Sequence, residues 1–539
     1  MTFKKIFCLV LCMIFLCCCT ACRSNEHSPY DQTIYYNIEN EPVTLDPQIA
    51  NDAAARLIIL NIFEGLTKLN GNGDVIPGVA QSWTANADYT KFTFQIRDGA
   101  CWNDGTALTA QDFVYGITRT LSPSTDSPTA NQLFCIKNAE AFHSGTVSKE
   151  QLGIYAEGTQ TIVIELEYAY KDFPSVLAQP CAMPCQQEFF ESTAGQYGLE
   201  SDKILSNGAF MLRSAYGWNH YENLTLHKNT YYVGEETVVP AGIYITIGDA
   251  PENVVEAIQN GTFDCYALPN DEVAAAKECG LNLTAFHDTV WGLCFNLESS
   301  VIKNKNIRIG LLYALKREYI LQKLPANASV ATDIIPDTAE WNGQNYRQFA
   351  GSSFCLTYNS TYNTYIQKGL KELNLDVLPS IEILCADDAA TQAIVNNIIE
   401  TLNNATGCYF NKKPVPRSQL QDYIDSGNYA IALAPLSATG NSPTDTLSLF
   451  VSTNPDNPVG LNSSVYDNYI HQIQEESLTD SLDTIIAAEK YLNDNGIFYP
   501  LYLESRFYAS AAYVTGIVFH AYGAEADFIT AIKSNENST

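Results

Sequence analysis

Apolar residues recur along this chain with two different spacings, which predict strands and helices that follow one another over most of its length. Short stretches rich in β-branched and aromatic residues predict strands at 33–37, 91–96, 161–166, 223–227 and 242–247. Longer stretches with a helical period predict helices at 54–65, 109–121, 250–261, 306–321, 389–403 and 481–493. Because the two kinds of element interleave, we expect an α/β fold with separate sheets in a multi-domain body.

One helix start is marked by local chemistry. Thr109 is placed to cap a helix, and Asp112, three residues later, lies near the positive end of the helix dipole. The turn residues at 103–106 come just before this cap, and Gly71-Asn72-Gly73 predicts a hairpin turn. We interpret these residues as structural.

The first 22 residues have the form of a secretory signal. Lys4 and Lys5 precede an apolar run from residue 6 to residue 19, which is too short to span a bilayer comfortably. The run ends in Cys19-Thr20-Ala21-Cys22, which resembles a bacterial lipobox except that Cys19 stands where leucine is usual. The resemblance implies cleavage after Ala21 and a diacylated Cys22, which would hold a soluble domain at a membrane surface. Cleavage without lipidation is the alternative.

Length and charge narrow the class of protein. Without residues 1–21 the chain keeps more than 500 of its 539 residues, so two or three domains are expected. A formal charge of −30 disfavours nucleic acid as a partner, because phosphate binding requires clustered lysine and arginine. No later segment is long and apolar enough to be a second membrane span.

The cysteines do not form an obvious disulfide framework. Of the 16 in the chain, those at positions 8, 12, 17, 18 and 19 lie in the signal and Cys22 is the lipidation candidate. The remaining cysteines are scattered, and the apolar surroundings of Cys294 and Cys385 indicate small buried hydrophobic residues. Export permits disulfides, but their pairing does not follow from the sequence.

Short motifs then follow one another in order between residues 42 and 320. They are PVTLDP at 42–47, FEGL at 63–66, PGVAQSW at 77–83, IRDGACWNDG at 96–105, SNGAF at 206–210, KNTYY at 228–232, NGTFD at 260–264 and NIRIGLLYAL at 306–315. In this order they resemble the family-5 extracellular solute-binding proteins, the oligopeptide, dipeptide and nickel binding components of ABC importers. From about residue 325 to residue 500 the resemblance is weaker.

The resemblance implies a three-lobed α/β fold of the type II periplasmic-binding-protein kind, with a hinge and a ligand cleft between lobes. After the signal (1–21) and a lipidated tether (22–33), it implies a discontinuous domain I (34–64, 189–289 and 505–539). Domain II (65–188) is inserted into domain I, and domain III (290–504) closes over the ligand.

The resemblance further implies that the chain is a monomeric binding protein without a cofactor, metal or catalytic site. It also implies that the protein is attached by its lipid to the outer face of the bacterial cell membrane, or lies in the periplasm. In peptide binders of this family the ligand lies extended and pairs through its backbone with protein strands, so that recognition tolerates many sequences. Hinge closure then presents the loaded protein to the permease subunits of the importer.

Ligand-contacting positions carry over with several departures. Asn51 and Ala53 occupy the places of cleft-lining residues after Asp46-Pro47, and Thr129 occupies the place of a cleft tyrosine. In segment 434–444, the ligand-binding positions are taken by Pro435, Leu436, Ser437 and Thr439. Leu436 replaces a tryptophan, and Thr439 replaces the aspartate that holds a peptide α-ammonium group.

The replacement at Thr439 bears on the ligand. A neutral hydroxyl does not replace a charge-assisted hydrogen bond to an ammonium group, which contributes about 1.5–3 kcal/mol. We therefore expect either an N-blocked, cyclic or otherwise modified peptide, or another acid, such as Asp445, in the role of the missing aspartate.

Three other functions stay open. An extracellular enzyme would need a catalytic motif, but there is no G-x-S-x-G or phosphate-binding loop, and the seven histidines are scattered. A nickel or haem binder of the same family would need marked aromatic and basic residues around the ligand. A ligand-sensing or adhesive surface lipoprotein with the same fold would explain the weak resemblance of the second half.

Overall fold

The computed structural model of the chain describes most of the residues after the predicted tether. The described residues are 32–71, 73–213, 216–324, 328–341, 344–351, 356–436, 438, 440, 442–454, 457–475, 481–520 and 526–534. The predicted signal, Cys22, Ser437 and Thr439 lie outside these ranges.

The strands are numbered β1 to β24 in chain order. They are Thr33–Ile38, Thr67–Leu69, Val75–Pro77, Ala80–Ala85, Lys91–Ile96, Ile154–Glu157, Thr161–Glu165, Phe210–Leu212, Trp218–Asn219, Asn223–Lys228, Gly242–Ile247, Cys265–Leu268, Asn282–Phe295, Ala328–Val330, Glu340–Trp341, Gln344–Asn345, Ile381–Ala386, Phe410–Val415, Ile431–Leu436, Phe498–Ser510, Val514–Thr515, Val518–Phe519, Ala526–Asp527 and Ile532–Lys533.

The α-helices are numbered α1 to α16 in the same way. They are Ala53–Ile62, Ala110–Leu121, Ala139–His143, Phe173–Val176, Gln187–Ser192, Val254–Gln259, Val273–Glu278, Lys305–Ala314, Arg317–Ile320, Arg347–Ala350, Tyr362–Leu373, Ala389–Thr406, Leu420–Asp425, Pro443–Ser448, Ser464–Glu475 and Leu482–Asp494.

Two sheets lie in the part of the chain that comes first. One has the order β1-β11-β10-β8 with β9 beside β10, and in it β1 runs parallel to β11. The other is an antiparallel sheet with the order β4-β5-β7-β6. Phe92, Phe94 and Ile96 alternate as buried residues on β5, and helix α2 packs against β6 and β7.

The third sheet has the order β12-β20-β13-β19-β17-β18, with β14 beside β20. Strand β17 is parallel to both β18 and β19. The long strands β13 and β20 pair antiparallel, with irregularities between Phe286 and Thr289 and between Trp291 and Gly292. These two strands therefore form the longest ladder of the sheet.

The buried apolar residues form two separate cores. The first draws on residues between Ile34 and Ala276 and again on residues between Tyr508 and Ala531. The second draws on residues from Val290 to Leu503. We call the parts around these cores the large body (32–289 and 505–534) and the small body (290–504). The predicted division of the large body into domains I and II stays a prediction.

The end of the chain completes the first core. Phe528 is fully buried and its ring lies 5.6 Å from that of Tyr36, at an angle of 64°. Lys533 Nζ lies 2.7 Å from a carboxylate oxygen of Asp264, and both side chains are almost wholly buried. The first and last described strands thus belong to one body.

Most predicted elements agree with the structure, and two helices differ. The predicted helix 306–321 is divided into α8 and α9, because Leu315 is extended with φ −70° and ψ 127°. Leu315 is nonetheless buried, which continues the apolar pattern through the break. The predicted helix 250–261 begins later, at Val254, because the Asn253 side chain caps it by accepting from the Glu256 N–H.

Candidate functional site

The carboxyl ends of the parallel strands β17, β18 and β19 meet at one edge of the small body. Asp388 caps α12 just after β17, Arg417 follows β18, and segment 437–442 follows β19. Ligands of α/β proteins commonly bind outside this edge of a parallel sheet. The predicted ligand segment 434–444 therefore begins at the carboxyl end of β19 at this edge, and its role in binding stays a prediction.

The described residues of that segment are held by ordinary secondary structure. Pro435 lies opposite Trp291 in the ladder between β19 and β13. Leu436 is buried in the second core. Asp445 lies in the first turn of α14 and accepts a 3.0 Å hydrogen bond from the Ser442 N–H, which caps the helix.

Asp445 is the most strongly perturbed acid at this edge. Burial raises its pKa to about 7, the Ser442 N–H opposes the change, and the negative charge of Asp172 adds to it. Burial also raises the pKa of Asp172 itself, with Lys171 acting in the opposite direction. Asp172 belongs to the large body and its side chain is exposed to solvent, so this electrostatic interaction runs from one body to the other.

A second contact between the bodies lies beside this pair of acids. The ring of Tyr168, which follows β7, lies 5.7 Å from the ring of His471 on α15, at an angle of 48°. Tyr170 is also within electrostatic range of Asp445. The segment 167–172 of the large body therefore contacts the small body at α14 and α15.

The predicted cleft loop of the large body, residues 46–53, is held in place by hydrogen bonds to a buried arginine. Arg119 donates to Asp46 Oδ1 at 2.7 Å and to Gln48 Oε1 at 2.6 Å, and Asp46 is 1% exposed. Asn51 and Ala53, the predicted ligand contacts, are both exposed, and Ala53 is the first residue of α1. The loop thus presents these two residues to solvent from a rigid base.

Thr129 is half-buried and stands just before the 3₁₀ turn Ala130–Leu133. Its Oγ1 lies 3.3 Å from Ser127 Oγ, and its N–H is 3.3 Å from the same oxygen. The roles assigned to Asn51, Ala53, Thr129, Pro435 and Leu436 stay predictions.

Several motif residues used for the resemblance hold the fold together. Tyr232 of the KNTYY motif donates its hydroxyl to Glu64 of the FEGL motif. The Asn207 side chain of the SNGAF motif accepts from the Glu64 N–H at 3.2 Å and donates to its carbonyl oxygen at 2.8 Å. These three motifs therefore meet at one buried point of the large body.

A polar cluster lies where β13 and β20 pass between the bodies. Glu504 accepts from Trp291 Nε1 at 2.5 Å, from Arg417 at 2.7 Å and from Asn270 Nδ2 at 3.1 Å. The Arg417 guanidinium also lies 4.8 Å from the centre of the Trp291 ring. Asn270 belongs to the large body and Arg417 to the small body, so Glu504 joins the two.

The sequence did not single out Asp172, Tyr168, His471 or Glu504. Each is an ordinary residue type in an ordinary local context, and each acquires a role through a partner far away in the chain. A spacing or motif within one segment carries no signal for such pairs.

The described residues were searched for metal-binding groups, membrane-spanning helices and disulfides. Among the described residues, no group of three or more histidine, cysteine or acidic side chains is arranged to hold a metal ion. Over the same residues, no helix combines the length and the apolar character needed to cross a bilayer. Nine cysteines are described and none is in a disulfide; Cys294 and Cys385 are buried, as their contexts predict.

Comparisons with known proteins agree with the fold. The family model of the bacterial extracellular solute-binding proteins, family 5 Middle, matches residues 74–458. The oligopeptide-binding protein OppA of Bacillus subtilis (strain 168) is 28% identical over 506 residues, which cover 91% of each chain. The substrate-binding domain of an oligopeptide ABC transporter from Bacillus anthracis superposes with a TM-score of 0.79 at 25% identity, over 94% of this chain and 99% of that one.

Two structures of one further protein have a similar fold. The murein tripeptide binding protein MppA of Escherichia coli, 23% identical, superposes with a TM-score of 0.78 over 94% of this chain and 99% of its own. The unliganded open form of MppA superposes with 0.66 over 94% and 98%. Both structures share the fold of this chain.

These superpositions confirm the predicted three-lobed α/β fold of the type II periplasmic-binding-protein kind. The family match spans well over half of the chain. The protein belongs to the bacterial extracellular solute-binding proteins of family 5.

Proposed function

We propose that the protein captures a peptide-like ligand between its large and small bodies and delivers it to the permease of an ABC importer. Relatives that cover most of the chain are named for binding oligopeptides and dipeptides, and one structural neighbour, a Listeria monocytogenes OppA, is described with a bound peptide. In this role the protein binds and releases its ligand without catalysis.

The observation that supports this proposal most directly is the connection between the bodies. The chain passes from one core to the other on β13 and β20, next to the irregularity between Phe286 and Thr289. His287 Nδ1 lies 2.6 Å from Ser505 Oγ at the same level. A pair of strands with a local irregularity is a natural hinge, because small backbone changes there swing a whole body.

The mode of ligand binding follows from the elements that border the crevice. Strand β19 ends at Leu436, directly before the rest of the predicted ligand segment, and we propose that an extended ligand pairs with this segment through its backbone. Pro435 has no N–H to donate, so pairing at that position rests on its carbonyl oxygen. Affinity would then come chiefly from backbone hydrogen bonds.

The N-terminal end of the ligand is the point at which this chain departs from its family. Thr439 replaces the aspartate expected there, and Asp445, which follows six residues later in the chain, is the acid that we consider in its place. We propose that the ligand either lacks a free α-ammonium group or places it near Asp445. Calorimetry with a free tetra-alanine peptide and its N-acetyl form distinguishes the two: comparable affinities support a blocked ligand, and a strong preference for the free amine supports the acid.

Native mass spectrometry of the protein as purified tests the ligand class itself. A closed cleft retains ligand from the cell, so we expect masses that fragment as peptides or modified peptides. Adducts that are all unrelated to peptides would overturn the proposed ligand class and leave the fold untouched.

We further propose that the protein is a monomer held at the outer face of the cell membrane through lipid on Cys22. The lipobox-like sequence and the extracellular family support this location. A ligand-sensing role with the same anchor is the second candidate, supported by the altered ligand segment at 435–439.

A further inference from the structure

A cavity of about 60 Å³ lies within the large body. It is bordered by α1 and the residues that follow this helix, by the segment around Gln179, and by strand β23 near the end of the chain. All of the described residues that line it belong to the large body, so it is not the crevice between the bodies. A single bound water needs only about 10–15 Å³, so this cavity has room for a small molecule.

One end of the cavity presents an unpaired carboxylate oxygen. Glu64, which lines the cavity, is 6% exposed, and its Oε2 accepts the Tyr232 hydroxyl group. Its Oε1 is also buried, and no described residue donates a hydrogen bond to it. A buried acceptor without a donor is unfavourable, and a donor group of a ligand would remove this cost.

Another part of the cavity wall presents a guanidinium group without a counter-charge. Arg56 Nη2 donates to Gln179 Oε1, whereas Arg56 Nε is buried and bonds to no described group. Burial lowers the pKa of the Arg56 guanidinium, and no carboxylate of the described chain opposes this effect. A carboxylate matches the planar guanidinium group in shape and would supply the missing charge.

The surroundings of Glu64 are acidic, which favours a positively charged donor there. Within electrostatic range of Glu64 or Lys68 the acids outnumber the bases: the acids are Glu64, Asp527 and Glu236, and the bases are Lys68 and Arg97. Lys68 Nζ is already bonded to a Glu236 carboxylate oxygen at 2.8 Å. Burial lowers the pKa of His520, which also lines the cavity, and so disfavours a positive charge on its ring. An ammonium group therefore fits this end better than a neutral donor.

We infer that the cavity binds a small linear zwitterion, with its carboxylate at Arg56 and its ammonium group at Glu64. Positions 56 and 64 are eight residues apart, along α1 and just beyond its end. Glu64 does not raise the pKa of Arg56, which indicates that the two charged groups are well separated. A free α-amino acid, whose two charged groups share one carbon, is too short to reach both.

The wall between the two charged residues fits the middle of such a ligand. Leu60 and Phe63 lie between Arg56 and Glu64 in the chain and line the same cavity. Their apolar side chains would pack against a chain of methylene groups. The ligand class is therefore the ω-amino acids, and this site is independent of the proposed peptide crevice.

Saturation-transfer NMR on the intact protein measures the Kd of two probes, 4-aminobutanoate and 6-aminohexanoate. Each is compared with the carboxylic acid and the amine of the same chain length, which lack one of the two charged groups. We expect at least one zwitterion to bind tenfold or more tightly than both of its singly charged analogues. A cavity that holds only water would give no such preference for either chain length, and that result would overturn the inference.

Two variants assign the preference to the two ends of the cavity. Arg56→Gln is expected to remove the preference of the zwitterion over the amine, and Glu64→Gln its preference over the acid. Lys490→Gln, which alters an exposed ion pair of the small body, should leave every Kd unchanged. Arg56→Gln leaves the bond from Tyr232 to Glu64 intact, so it keeps the test decisive even if Glu64→Gln does not fold. An unchanged preference in the folded Arg56→Gln protein would overturn the inference.

Competition with tetra-alanine separates this site from the proposed peptide crevice. Saturating tetra-alanine is expected to leave the signals of the zwitterion unchanged, because the small body does not contribute described residues to the cavity. Displacement of the zwitterion by the peptide would place both in one site and overturn the inference. If tetra-alanine itself does not bind, the proposed peptide ligand is in question, while the Arg56→Gln comparison still decides whether the cavity binds a zwitterion.

Discussion

At the scale of single residues, the most consequential interaction is the buried ion pair that anchors the cleft loop. Arg119 on α2 holds Asp46 and Gln48, and its guanidinium lies 4.0 Å from the centre of the Phe190 ring. Burial lowers the pKa of Arg119, but the hydrogen bond to Asp46 and the charges of Asp46 and its neighbours together outweigh burial and raise this pKa. Removing one partner of such a buried ion pair destabilises the fold strongly, because the other charge stays buried without compensation.

Arg119→Ala is expected to lower the free energy of unfolding by about 3–5 kcal/mol, because Asp46 is left buried and uncompensated. Urea unfolding followed by circular dichroism measures the loss. Lys490→Ala is the control, because that pair with Asp494 has both side chains more than half exposed and contributes only about 0.5 kcal/mol. Equal losses in the two variants would show that the buried pair does not stabilise the loop.

The sequence identified Asp46 and Glu64 as motif residues but not their partners. Arg119 lies far from Asp46 in the chain, and Tyr232 lies far from Glu64. Resemblance to a family indicates which positions matter, whereas the physical reason appears when distant segments are placed together. The same limit explains why Asp172 was not predicted as the neighbour of Asp445.

At the scale of elements, local chemistry decides where helices begin. Asp112 accepts the Thr109 N–H at 2.8 Å and so completes the predicted cap of α2. The predicted strand bounds also lie close to the observed ones, since alternation of buried residues indicates both that a segment is a strand and which of its faces is buried. The break at Leu315 was not predicted, because a buried residue between two helices continues the apolar pattern.

Close approach of the backbone explains one glycine of the SNGAF motif. The Gly208 N–H donates to the Ile62 carbonyl at the end of α1 over 2.7 Å. A Cβ atom at this position would lie 2.5 Å from the carbonyl carbon of Ile62. The end of α1 and the start of β8 therefore fit together through the absence of a side chain.

Gly208→Ala is expected to destabilise the protein by about 1–3 kcal/mol, since backbone atoms must move to admit the methyl group. Differential scanning calorimetry measures this as a lower Tm. Gly248→Ala provides the control, because a Cβ there meets nothing within 4 Å. A Tm as little affected by Gly208→Ala as by Gly248→Ala would contradict the argument from close packing.

At the scale of the whole molecule, two cores share one sheet. Strands β13 and β20 contribute to both cores, and Glu504 bonds to residues of both bodies. The three-lobed architecture was predicted from the resemblance and is confirmed by the superpositions. The contacts across the cleft were not predictable, because they depend on how far the hinge is closed.

The anchor proposed at Cys22 is tested on whole cells. Cys22→Ala is expected to abolish incorporation of an alkyne-labelled fatty acid and to release the protein into the medium or periplasm, because one signal for attachment is lost. Cys279→Ala, which alters an exposed thiol of the folded body, should keep the label. Persistent labelling of the Cys22→Ala protein would exclude Cys22 as the lipidated residue.

The burial of Phe528 and Lys533 against Tyr36 and Asp264 has a consequence for biogenesis. A polypeptide emerging from the ribosome presents residues 32–289 long before residues 505–534 exist, so the large body lacks part of its interior until those residues have been made. The small body, by contrast, has its whole interior within one uninterrupted stretch. The interior of the large body therefore cannot be completed during synthesis before residues 505–534 have been made, whereas that of the small body can.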